Sequence, residues 1–158
     1  MKVLILVICC NDSRGEYNLL SDTIKKTWGT VKNANAEVFY LWCNNYKKVD
    51  KNDFVLNKEE SYAMLLWKTL RFLEAHKDDE FDYIFRTNVG CYVHIDRLVN
   101  HLEGCPRSNF YSGPVGTFQD ITFVSGTGFI MSRDLFDLAL EKINDFGYDH
   151  IDDVAIGR

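Results

Sequence analysis

The sequence predicts an α/β fold, a mainly parallel or mixed sheet with helices on both faces. Two observations carry that expectation. Continuous apolar, β-branched runs alternate with stretches whose apolar residues recur at helical spacing, and the polar, glycine-containing segments fall at the ends of the apolar runs. A length of 158 residues, 46% of them hydrophobic, supplies one packed core and rarely two, so residues 1 to 158 read as a single domain.

Residues 3 to 9 form the first run, the pattern of a strand buried on both faces, and the polar cluster Asn11-Asp12-Ser13-Arg14-Gly15 ends it. Leu19, Leu20, Thr23, Ile24, Thr27 and Trp28 then recur at helical spacing, with Gly29 as a stop. Residues 37 to 43 are a second strand, and residues 44 to 53 a polar, lysine-containing loop. Residues 59 to 76 hold the longest helical pattern, with Tyr62, Leu65, Leu66, Thr69, Leu70 and Leu73 on one face. A charged turn at Asp78-Asp79-Glu80 leads to a strand at residues 83 to 86 and a short helix at residues 96 to 103. Pro106 and Pro114 lie in an irregular stretch. Residues 121 to 131 look extended but are interrupted by Ser125-Gly126-Thr127-Gly128, and Ser132 is placed to cap a helix over residues 133 to 144.

Composition excludes several function classes. A net charge of -5 argues against binding to a phosphate backbone, which needs a clustered basic surface, so no nucleic-acid partner is expected. Five cysteines without CxxC spacing suggest neither a disulfide framework nor a zinc site. The opening apolar run is too short to span a membrane and lacks a small-residue cleavage site. Reduced thiols in a cytoplasmic protein are the resulting expectation, and the sequon Asn11-Asp12-Ser13 then carries no weight. No Walker loop, GxSxG or HExxH is present.

In an α/β sheet, ligands bind beyond the carboxyl ends of the strands, so polar residues just after strands are the candidate site residues. Three segments qualify. The first is Arg86-Thr87-Asn88-Val89-Gly90, in which Arg86 suits phosphate and Gly90 permits close backbone approach; a strand-end bulge with a surface arginine is the plain alternative. The second is Ser125-Gly126-Thr127-Gly128, where glycines break an apolar strand as a close-approaching ligand or a tight bend would require. The third is His150-Ile151-Asp152-Asp153 before an apolar run. One aspartate there reads as a helix cap, and the other is left to act as a general base or, with His150, to hold a metal.

Taken in order, these segments resemble the fringe and beta-1,3-galactosyltransferase-like family (glycosyltransferase family 31-like), inverting enzymes with a GT-A fold. Lys25-Lys26-Thr27-Trp28-Gly29, Glu60-Ser61-Tyr62 with Leu65 and Lys68-Thr69, Ser125 to Ser132, and Asp152-Asp153-Val154 with Gly157 are similar to that family's successive motifs. The resemblance implies a nucleotide-sugar donor, a UDP-sugar, and a glycan or glycoprotein acceptor. It implies donor binding by Lys25, Trp28, Arg86, Asn88 and Gly90, and sugar-proximal roles for Ser125, Gly126, Thr127 and Gly128. It makes Asp153 the catalytic base, with Asp152 beside it.

The chain departs from the family pattern in two places. The metal-binding aspartate cluster reads Asn88-Val89-Gly90, so manganese or magnesium is unsupported by the local motif, with Asn88 and His150 the remaining metal candidates. Opposite unit charges about 4 Å apart at an effective dielectric of about 20 attract by roughly 4 kcal/mol, so a departing diphosphate needs some cation, and Arg86, Lys25 and Lys26 are the candidates. The chain also stops at Arg158, where relatives continue, which implies a C-terminal truncation or a short member. A catalytically silent carbohydrate- or nucleotide-binding module on the same fold is the rival reading, and a nucleotidyltransferase-like domain ranks behind it.

Overall fold

A computed structural model describes residues 1 to 11, 15 to 43, 50 to 146 and 150 to 158. Most of the polar cluster expected at residues 11 to 15, including Asp12, Ser13 and Arg14, and the first part of the loop expected from residue 44 lie outside the described residues.

The chain is a mixed α/β structure. Strand β1 (Val3–Ile8) is followed by helix α1 (Glu16–Lys26) and a short 3-10 turn (Trp28–Thr30). Strands β2 (Ala36–Cys43) and β3 (Asp53–Leu56) come next, then a second 3-10 turn (Tyr62–Met64) running into helix α2 (Leu65–Ala75). Strand β4 (Tyr83–Asn88), helix α3 (Ile95–Glu103) and the two-residue strand β5 (Tyr111–Ser112) lead to a hairpin of β6 (Val115–Phe118) and β7 (Ile121–Val124). Strand β8 (Gly128–Ser132), helix α4 (Arg133–Glu141) and the short helix α5 (Asp152–Gly157) complete the order. None of the described helices is long and apolar enough to cross a membrane.

The main sheet has the order β3-β2-β1-β4-β8-β5. The first four strands of that order run parallel, whereas β8 is antiparallel to both β4 and β5. Every residue of β1 is buried, as its unbroken apolar sequence requires for a central strand covered on both faces. Its alternating side chains divide the core in two. Val3, Ile5 and Val7 pack with Ile24 and Trp28 of the α1 region and with Val99 and Leu102 of α3. Leu4, Leu6 and Ile8 pack on the other face with Leu66, Leu70 and Leu73 of α2, Phe136 of α4 and Ala155 of α5.

Four local expectations are corrected. Asp53 opens a strand rather than ending a loop, since β3 adds to the edge of β2 through the register Tyr40↔Asp53 to Cys43↔Leu56. The helix expected from residue 59 begins at Leu65, because Ser61 is extended and the preceding segment folds back so that Glu60 reaches Lys68. The irregular stretch after Pro106 contains β5 and β6. Ser132 precedes α4 but makes no side-chain cap; its hydroxyl donates to Asp134 Oδ1 (2.6 Å) and accepts from Phe110 N (3.0 Å).

The topology fixes where a ligand can enter. From β1 the chain moves outward to β2 and β3, then crosses back to place β4 on the other side of β1, so the connections diverge between β1 and β4. That divergence opens a crevice at the carboxyl ends of the two strands. Because β8 runs antiparallel, its beginning lies beside the end of β4, with Thr87 opposite Gly128. The glycine-rich segment therefore reaches the crevice from the other direction.

Candidate functional site

A cleft of about 590 Å³ occupies this crevice. Ile8, Cys9 and Cys10 after β1, Tyr17 and Leu20 of α1, and Leu65 of α2 form its apolar part. Arg86, Asn88 and Gly90 from the end of β4, Ser125, Gly126 and Thr127 before β8, and Asp152 and Asp153 at the start of α5 form its polar part. The three segments singled out in the sequence thus converge on one cavity.

The two aspartates are adjacent in sequence but differ in their partners. Asp152 is 1% exposed and forms a two-pronged ion pair with Arg86, Nε donating to Oδ2 (2.8 Å) and Nη2 to Oδ1 (2.7 Å). Thr69 of α2 adds a third bond to Asp152 Oδ2 (2.7 Å). Asp153 instead accepts from the backbone N–H of Gly126 (Oδ2, 2.7 Å) and of Val154 (Oδ1, 2.9 Å). Neither carboxylate caps the helix as expected; Ile151 is the residue before it, and both aspartates lie in its first turn.

Arg86, expected to bind the donor, is engaged within the protein. It is 4% exposed, and its Nη1 donates to Gly126 O, so each guanidinium nitrogen has a protein acceptor while the residue still lines the cleft. Gly126 is thereby held on both sides, its carbonyl by Arg86 and its N–H by Asp153. A Cβ at this position would overlap Arg86 Nη1 and stand 3.1 Å from Asp153 Oδ2. The close approach that the glycines signal is to the protein's own side chains.

Asn88 and Gly90 close a small turn. Asn88 Oδ1 accepts from Gly90 N (2.9 Å), and Asn88 O accepts from Cys91 N (3.2 Å). Ser125 and Thr127 bond each other through their hydroxyls (3.3 Å), while Thr87 Oγ1 donates to Thr127 O (2.8 Å). Gly128 begins β8 against the Phe85 ring, where a Cβ would sit 3.1 Å from two ring carbons.

Lys25 and Trp28 do not join this constellation. Lys25 is bonded to Asp50 (2.9 Å) and Asp53 (2.7 Å), stands 4.9 Å from the centre of the Tyr40 ring, and lines a separate recess of about 660 Å³. Trp28 is 4% exposed and belongs to the core beneath α1. Lys25 joins α1 to β3 and the loop before it, and Trp28 packs with Val38, Tyr40 and Trp42 of β2. His150 also stands apart, lining a neighbouring recess with Phe118, Phe123 and Tyr62, its ring centre 6.2 Å from that of Phe118.

Sequence reasoning passed over one buried ion pair. Lys68 has no exposure at all, and its ammonium donates to both Glu60 oxygens (3.0 and 2.9 Å) and to Cys9 O (2.7 Å). This ties the end of β1 to the segment before α2, both of which line the cleft. The signal was a lysine set among Leu65, Leu66, Thr69 and Leu70. Among the described residues, Glu60 and Lys68 neutralise each other, as do Asp152 and Arg86. Among the described residues, Asp153 is the cleft carboxylate without a cationic partner.

Two further groups respond to this environment. Burial, and then the nearby Asp153 and Asp152 carboxylates, push the Tyr111 phenol upward, so it stays protonated, and its hydroxyl is buried without a hydrogen-bond partner among the described residues. Burial likewise pushes the Cys9 thiol upward, which keeps it an inert thiol rather than a nucleophile. None of the five cysteines is joined in a disulfide.

The described residues of the cleft do not gather ligands for a manganese or magnesium ion. Val89 and Gly90 offer no side-chain ligand, Asn88 Oδ1 already accepts from Gly90, and no group of three or more His, Cys, Asp and Glu side chains is gathered for a metal among the described residues. No protein-family model matches the chain, and no curated protein matches it.

Proposed function

We propose that the chain is a GT-A-type glycosyltransferase domain that moves a sugar from a nucleotide-sugar, a UDP-sugar, to a hydroxyl of a glycan acceptor with inversion. The single observation that supports this reading is the setting of Asp153. Its carboxylate lines a cleft at the carboxyl ends of β1 and β4, is steadied by two backbone N–H groups, and is not neutralised by a cation among the described residues. A positioned carboxylate beside a cavity is what a general base requires.

In this reading Asp153 takes the proton of the acceptor hydroxyl, and the oxygen forms a bond to the anomeric carbon from the face opposite the leaving group. The bond from that carbon to the diphosphate oxygen breaks, and its electron pair leaves with the nucleoside diphosphate. The proton remains on Asp153. Arg86, at the same cleft, is the cation nearest this step, and its pairing with Asp152 offsets part of the charge it can offer the leaving group.

The experiment is a panel of UDP- and GDP-sugars assayed for transfer to simple glycosides and for hydrolysis, with Asp153→Asn as the control. Loss of turnover by at least about a hundredfold in the variant, with donor binding retained, is the outcome expected of a lost general base. Undiminished turnover in the variant would overturn the assignment. The pairing of Arg86 with Asp152 also favours a second reading, a carbohydrate-binding module that performs no transfer. Donor or glycoside binding by calorimetry with no turnover of any donor would establish that one.

A further inference from the structure

We propose that Arg86 and Thr69 are positioning residues for Asp153, acting through Asp152 and through the Gly126 backbone. This rests on the reading of Asp153 as the base. Three elements meet at Asp152: β4 through Arg86, α2 through Thr69, and α5, which carries the aspartate itself. The bond from Thr69 and the two from Arg86 fix the position of the first turn of α5, and Asp153 is the next residue along. From the other side, Arg86 holds Gly126 O while Gly126 N donates to Asp153 Oδ2. One guanidinium thus sets both the helix that carries the base and the donor that orients it.

The arrangement accounts for three otherwise costly features. A buried arginine and aspartate are retained where an apolar pair would pack as well, which is reasonable when the pair fixes geometry. A threonine hydroxyl is buried on the apolar face of α2, 1% exposed, and its bond goes to the same carboxylate. A glycine stands where any Cβ would overlap the guanidinium. Arg86 and Thr69 contribute to the reaction by fixing where Asp153 points, without touching the reacting atoms.

The test compares Arg86→Lys, Thr69→Val and Thr69→Ser with the unaltered chain. Its first readout is the Gly126 amide in proton–nitrogen NMR spectra, which needs no substrate. A bond to a carboxylate moves that proton downfield, and Asp153→Asn identifies the effect. We expect Thr69→Val and Arg86→Lys to move the resonance in the same direction as Asp153→Asn and to lower its exchange protection about tenfold, with Thr69→Ser restoring both. Wild-type shift and protection in folded Thr69→Val would overturn the proposal, and that variant decides the matter if Arg86→Lys fails to fold.

The second readout is kinetic, on whichever UDP-sugar the panel shows to be turned over. Positioning predicts a fall in kcat of about tenfold or more with KM little changed. A raised KM at constant kcat would instead make Arg86 a donor ligand and overturn the proposal. If no donor is turned over, the glycosyltransferase reading fails, while the Gly126 resonance still decides whether Arg86 and Thr69 hold Asp153.

Discussion

Successive side chains on a helix point about 100° apart, so Asp152 and Asp153 at the start of α5 meet different surroundings. Asp152 turns into the sheet toward Arg86 and Thr69, and Asp153 turns toward Gly126. Two adjacent acids and a distant arginine were visible in the sequence, but their pairing was not, because it is set by how α5 docks. The same holds for Lys25, whose carboxylate partners Asp50 and Asp53 come from the loop and strand after β2. A simpler case is Asp134, held below the usual aspartate range by the Ser132 hydroxyl, against a smaller opposing effect of burial, with a further bond from Asn109 N. A depressed folded pKa contributes stability above the unfolded value of about 3.9 and loses it as pH falls through the folded value. Asp134→Ala is therefore expected to lower the melting temperature at pH 7. The difference from the parent chain should shrink as the pH is taken below the unfolded value, as thermal scans at several pH values would register.

Among the elements, long periodic segments were legible and short ones were not. β1, β2, β4 and the four longer helices each carry enough apolar repeats to identify them. β3 and β5 are short strands that depend on a neighbour for their hydrogen bonds. The β6–β7 hairpin lacked its usual sequence signal, because its turn residues Gln119 and Asp120 adopt positive φ (45° and 68°) without a glycine. Docking of α5 relies on the Arg86–Asp152 pair, with side chains 5% and 1% exposed. Removing one member of such a pair leaves a buried charge uncompensated. Asp152→Ala should cost about 3–5 kcal/mol, seen as a lower denaturant midpoint with an unchanged slope.

For the molecule as a whole, buried titratable groups set the alkaline limit of stability. Burial pushes the Tyr40 phenol up to about 12 and raises the Cys9 thiol. Groups raised in the folded state contribute fully below their unfolded values, and that contribution is lost as pH rises toward the folded values. For Tyr40 the window runs from about 10 in the unfolded chain to about 12 in the folded one. We expect stability to decline progressively above pH 10, with Tyr40→Phe reducing the decline in denaturant titrations.

The bonds that hold the cleft together also join distant parts of the chain. Asp152 lies 66 residues from Arg86 and 83 from Thr69, and Lys68 lies 59 from Cys9. Closing such loops costs entropy that only an assembled sheet repays, so the helices and the β6–β7 hairpin, whose contacts are local, are expected to form before them. The cleft is accordingly expected to be among the last parts of the molecule completed during folding, and a probe of ligand binding in refolding experiments is expected to report arrival at the native state rather than collapse.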